Sequence, residues 1–73
     1  MLSIYAEISH RLLKEIEAKE NSGQPHIFSN LPNGVFLERK KGKTACFFEY
    51  DDEVDKTALI DLLDSKNIPW QDN

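Results

Sequence analysis

Apolar side chains recur at helical spacing over residues 2–20. Tyr5, Ile8, Leu12 and Ile16 fall within about 80° of one another at roughly 100° per residue, flanked by Leu2, Ile4 and Leu13. The pattern predicts an amphipathic helix with Glu7, His10, Arg11, Lys14 and Glu17 on its outer side, stopped by the helix-terminating run Asn21-Ser-Gly-Gln-Pro25. The middle of the chain alternates instead, with strands expected near 26–31, 35–40 and 43–50. Pro32-Asn33-Gly34 suits a three-residue hairpin loop, and Lys41-Gly42 a tighter two-residue turn.

Turn length sets register, and register sets which side chains share a face. A two-residue turn at Lys41-Gly42 pairs Leu37 with Cys46, Val35 with Phe48, Phe36 with Phe47 and Glu38 with Ala45; the loop upstream pairs Leu31 with Val35. One face then carries Ile27, Leu31, Val35, Leu37, Cys46, Phe48 and Tyr50, almost wholly apolar. The other mixes Phe28, Phe36, Ala45 and Phe47 with Glu38, Lys40, Lys43 and Glu49, the composition of a half-solvated surface.

A second helix is expected near 54–67, opened by the carboxylates of Asp51-Asp-Glu-Val-Asp55. Ala58, Leu59, Leu62 and Leu63 form its buried stripe, Asp61 and Asp64 face water, and Ile60 lies toward one edge of the stripe. Ile68-Pro-Trp70 supplies an apolar tail that packs back on the core or adds a short edge strand. With no repeat or linker, residues 1–73 read as a single α+β domain of order α-β-β-β-α, a three-stranded antiparallel meander with two helices packed on one face.

At 73 residues the core is small, so a second stabiliser is expected. Cys46 is the single cysteine and cannot close an internal disulfide, and with His10 and His26 it matches no zinc spacing, which leaves self-association. The N-terminal segment has neither the basic start of a signal peptide nor the uninterrupted length of a membrane span, and the expectation is a cytoplasmic protein.

Nine basic and thirteen acidic side chains give a net charge of −4, unevenly spread. Residues 1–48 hold seven bases and five acids and residues 49–73 two bases and eight acids, so Asp51, Asp52, Glu53, Asp55, Asp61 and Asp64 make an acidic C-terminal surface. Helix capping and solvation account for that run, which lacks the glycine and spacing of a calcium loop; imitation of a phosphate backbone is the sharper alternative. No nucleophile–base pair, paired carboxylates or phosphate loop is present, so neither an enzyme nor a cofactor or metal site is expected.

The sharpest functional signal is the aromatic sheet face. Phe28, Phe36 and Phe47, with Ile60, are expected to bind another protein or a second copy of the chain, as a small acidic regulator or inhibitor would; immunity proteins, antitoxins and phage inhibitors are comparable in size and charge alone. The alternative is single-stranded nucleic acid, stacked on the same rings and held by Arg39, Lys40, Lys41 and Lys43. Lys41-Gly42 opens like the RNA-recognition signature, but Lys43 and Ala45 stand where that signature carries its stacking aromatics, and the chain is not assigned to that family.

Overall fold

The computed structural model describes residues 2–73. The chain runs β1 (Leu2–Glu7), α1 (His10–Ser22), β2 (Phe36–Arg39), β3 (Ala45–Tyr50), α2 (Glu53–Ser65) and β4 (Trp70–Asp72). The strands form one antiparallel sheet in the order β2-β3-β1-β4. It is an α+β fold with two helices, as expected, but with four strands rather than three. Its β-α-β-β-α-β connectivity is the split-βαβ, ferredoxin-like arrangement, an architecture that hosts many unrelated activities.

Residues 2–7 are a strand and not the start of a helix. Ile4, Ala6 and Ile8 are buried on one side while Ser3, Tyr5 and Glu7 point to the other, a period of two that the short side chain of Ala6 conceals. Ser9 separates the two elements. It adopts an extended backbone, and its Oγ accepts a hydrogen bond from Leu12 N at 3.1 Å, capping α1. The genuine helical stripe is Leu13 and Ile16 with Leu12 beside them. Gly23, at φ +73°, ends α1: its N–H donates to Glu20 O and that of Gln24 to Lys19 O, the paired bonds of a Schellman cap.

Residues 26–31 form turns rather than the expected strand. Its backbone is satisfied locally: His26 N donates to Ser29 Oγ at 2.7 Å, Ser29 N to His26 O at 3.0 Å, and Phe28 N to the His26 ring nitrogen Nδ1 at 3.1 Å. The loop drops Phe28 into the core, edge-on to Phe48 at 5.3 Å. Pro32-Asn33-Gly34 does turn, with Val35 N donating to Pro32 O, but it delivers the chain into β2 instead of joining two strands.

The β2–β3 register differs from the expected one by two residues: Leu37 faces Phe48, Phe36 faces Glu49, Glu38 faces Phe47 and Arg39 faces Cys46. Lys41-Gly42 does turn, with Lys43 N donating to Lys40 O and Gly42 at φ +81°, but residues 40–44 all lie outside the strands, a longer connection than the expected two-residue hairpin, and this accounts for the shift. Thr44 and Ala45 then leave β2 for β1, where Ile8 N donates to Thr44 O and Ala45 pairs with Glu7. A slip of two preserves faces, so the inward set Val35, Leu37, Cys46, Phe48 and Tyr50 survives it.

Both helices cover this inward face. Leu13 and Ile16 of α1 and Leu59 and Leu63 of α2 join Ile4, Ala6, Ile8, Cys46, Phe48 and Tyr50 in one core, closed by Phe28, Val35 and Ile68. Asp52 caps α2 by accepting from Val54 N. Asn67, at φ +57°, ends it with the same paired bonds seen at Gly23, its own N–H to Asp64 O and that of Ile68 to Leu63 O. The tail becomes β4, held by Trp70 Nε1 donating to Asp64 Oδ1 and by the Lys56–Asp72 ion pair at 3.0 Å. The Asp72 carboxylate, through that hydrogen bond above all, holds the Lys56 ammonium above its ordinary range. Among the described residues no helix is long and apolar enough to cross a membrane.

Candidate interaction face

With both helices on one side, no layer of the described residues covers the other side of the sheet. Ladder pairing arranges its side chains in rows across the strands. Phe36, Glu49 and Ser3 form the first row, with Asn73 bonded to Ser3 at its end; Glu38, Phe47, Tyr5 and Gln71 form the second; Ala45 and Glu7 belong to the third. Phe36 is 66% exposed and Phe47 39%. Tyr5 and Phe47, on the two central strands, pack with ring centroids 5.2 Å apart. The Tyr5 hydroxyl donates to Glu7 Oε1 at 3.3 Å; desolvation first and the Glu7 carboxylate second push the phenol above its ordinary range. Beside Phe47 the small side chain of Ala45 leaves a shallow depression of about 440 Å³, bounded by Glu38, Lys40, Lys43 and Phe47.

The structure separates the residues that the sequence pattern grouped. Phe36 and Phe47 are together on the open face, but Phe28 is not: it is 4% exposed on the opposite side of the sheet. Ile60 sits on α2, half-buried against the core, and shares no surface with them. Tyr5 takes the place of Phe28, and sequence reasoning missed it because residues 2–8 were read as helix; the alternation of Ile4, Ala6 and Ile8 is the signal that finds it.

The basic hairpin is divided too. Arg39 turns under the sheet toward α1, its side chain 8% exposed, with Nη2 2.6 Å from Glu20 Oε1 and Nη1 4.0 Å from Glu17 Oε2. Glu17 Oε2 also accepts from Gly42 N at 2.9 Å, so α1 holds the turn from below. Lys40, Lys41 and Lys43 remain exposed, and three carboxylates, Glu7, Glu38 and Glu49, lie on the same face as Lys40 and Lys43.

The acidic residues act mainly on local structure where they touch anything. Asp52 caps α2, Asp64 receives Trp70, and the Asp55 carboxylate lies against Gly34; Asp51, Glu53 and Asp61 are exposed. Among the described residues no three His, Cys, Asp or Glu side chains converge as a metal site. Cys46 is fully buried, and burial pushes its thiol up to about 11 against the opposing pull of Arg39, so it is not a thiolate near neutrality. His10 is exposed as expected, whereas His26 is half-buried and serves as the acceptor that shapes the 26–29 turn.

The molecule is thus a two-layer split-βαβ protein whose one sheet face, aromatic at its centre and mixed in charge at its rim, lies open. Comparison with protein-family models, with curated proteins and with solved structures finds no match for the chain.

Proposed function

We propose that this chain is a non-enzymatic protein-binding module of the regulator or inhibitor kind, and that it binds through the outer face of its sheet. The supporting observation is Phe36, two-thirds exposed and diagonal to the Tyr5–Phe47 pair on a face that neither helix covers. Burying one such ring is worth roughly 1.5–3 kcal/mol, and an aromatic cluster left in water on a small protein commonly marks an interface. The acidic surface of Asp51, Asp52, Glu53, Asp61 and Asp64 offers a second contact, suited to steering a basic partner. A single cysteine outside any disulfide suits a reducing cytoplasm, where this reading puts the protein.

One observation favours single-stranded nucleic acid as the second reading. Tyr5 and Phe47 are adjacent on the two central strands, the layout by which four-stranded sheets of this connectivity stack bases. Against it, Arg39 is committed to Glu20, and Glu7, Glu38 and Glu49 would face the phosphates.

Capture from native cell lysate with and without nuclease, comparing the natural chain with Phe36→Asp, tests both. The protein-binding reading expects a partner retained through nuclease treatment and lost in the variant. Nuclease-sensitive capture, weakened by charge reversal at Lys40 and Lys43, would replace it with the second reading.

A further inference from the structure

The open face is complementary to itself, and we infer that it pairs with the same face of a second copy about a twofold axis that crosses the strands at the Tyr5–Phe47 row. This inference rests on the protein-binding reading above and names one partner for it.

The two ends of the face differ in shape and in charge. At one end Phe36 projects, and Glu49 lies directly opposite it in the ladder. At the other end lies the depression floored by Ala45, with Lys40, Lys43 and Glu38 on its rim and Glu7 opposite Ala45 in the ladder. The ends are four residues apart along β3, roughly 13 Å, with Phe47 midway between them. A knob and a carboxylate at one end therefore match a hollow and two ammonium groups at the other.

A twofold axis across the strands at the middle row exchanges the two ends. It sets each Phe36 over the partner copy's Lys40, on the β2 side of the depression, and each Glu49 over the partner copy's Ala45 beside the two lysines, so both contacts are made twice, as an isologous interface requires. A lysine against the Phe36 ring adds a cation–π contact. The Tyr5–Phe47 pairs then meet at the axis, in the face-to-face packing of two sheets. An axis along the strands does neither: it lays Phe36 over the Ser3 end of the other copy and leaves the depression empty.

Four strands by about five residues give a face of roughly 300 Å² in projection, small against the roughly 800 Å² of accessible surface per partner in a standard interface. The dimer is accordingly weak. The same axis brings the two Glu38 side chains toward each other at the β2 edge, a repulsion that Glu38→Gln would relieve.

Sedimentation equilibrium of the full chain from about 1 μM to about 1 mM spans the range in which such a dimer assembles. The expected result is a mass that doubles across the series, with Phe36→Asp monomeric throughout and unchanged in circular dichroism. Glu49→Lys alone, and Lys40→Glu with Lys43→Glu, should each dimerise at least about tenfold more weakly, roughly 1.4 kcal/mol. An equimolar mixture of those two variants should recover association, because residue 49 of each copy again faces residues 40 and 43 of the other with opposite sign. A natural chain that stays monomeric, a dimer that survives Phe36→Asp, a mixture that fails to associate, or association that needs added oligonucleotide overturns the inference. If the chain stays monomeric while Phe36→Asp still abolishes capture of another protein, the second copy is wrong and the protein-binding reading stands.

Discussion

Cys46 shows how far burial decides what a side chain can do. A lone cysteine near basic residues invites a reactive reading, yet at zero exposure the ionised sulfur would have to leave water for an apolar core. Its thiol, pushed up to about 11, keeps its proton in the folded state at pH values where the unfolded chain, at its ordinary value near 9, has lost it. Folding stability from this group is therefore intact below pH 9 and declines as pH rises from about 9 to about 11, by on the order of 2 kcal/mol. Chemical denaturation at a series of alkaline pH values should show that decline, and Cys46→Ala should flatten it. Asn67 poses the converse problem, a side chain held at φ +57° to close α2. Glycine takes that conformation without steric cost, so Asn67→Gly should raise stability by about 0.5–1 kcal/mol, read as a higher denaturant midpoint at unchanged slope.

At the level of elements, α2 and the faces of β2 and β3 were legible, because their periodicities are long and a two-residue slip in register leaves an alternating pattern on the same side. β1 was not, because Tyr5, Ile8, Leu12 and Ile16 run together at helical spacing across what is in fact a strand, a cap and a helix. The hydrogen bond from Leu12 N to Ser9 marks where one period gives way to the other. The loop at 26–31 misled for a different reason. Ile27, Phe28 and Leu31 have the composition of a strand, but the N–H groups of His26, Phe28 and Ser29 are all taken up by bonds within the turn. The candidate face inherited both errors: Phe36 and Phe47 belong to it, Phe28 does not, and Tyr5 does. Alanine substitution separates the two kinds of phenylalanine. Phe28→Ala should cost about 3–4 kcal/mol, while Phe36→Ala should change stability by less than about 0.5 kcal/mol, both measured by denaturant unfolding.

For the whole molecule, 73 residues support one thin core between a sheet and two helices, and losses that a larger domain absorbs are serious here. The open aromatic face is then a region that association can stabilise as well as a place to bind, since any partner that recognises only the folded chain shifts the folding equilibrium. The melting temperature of the natural protein should accordingly rise with its concentration, while that of Phe36→Asp should not, in scans from about 10 μM to about 1 mM.

The position of β1 in the sheet also sets a timetable. Its partners lie far along the chain: Leu2 pairs with Tyr50 and Ile4 with Asp72, separations of 48 and 68 residues. The β2–β3 turn and the two helices need only local contacts, so they can gather early, whereas the middle of the sheet must wait for the strand at one end of this sequence to meet those at the other. Until then β1 is an unpaired strand carrying Leu2, Ile4 and Tyr5, and one of the sheet's two central strands is the element most exposed to misassembly while the chain folds.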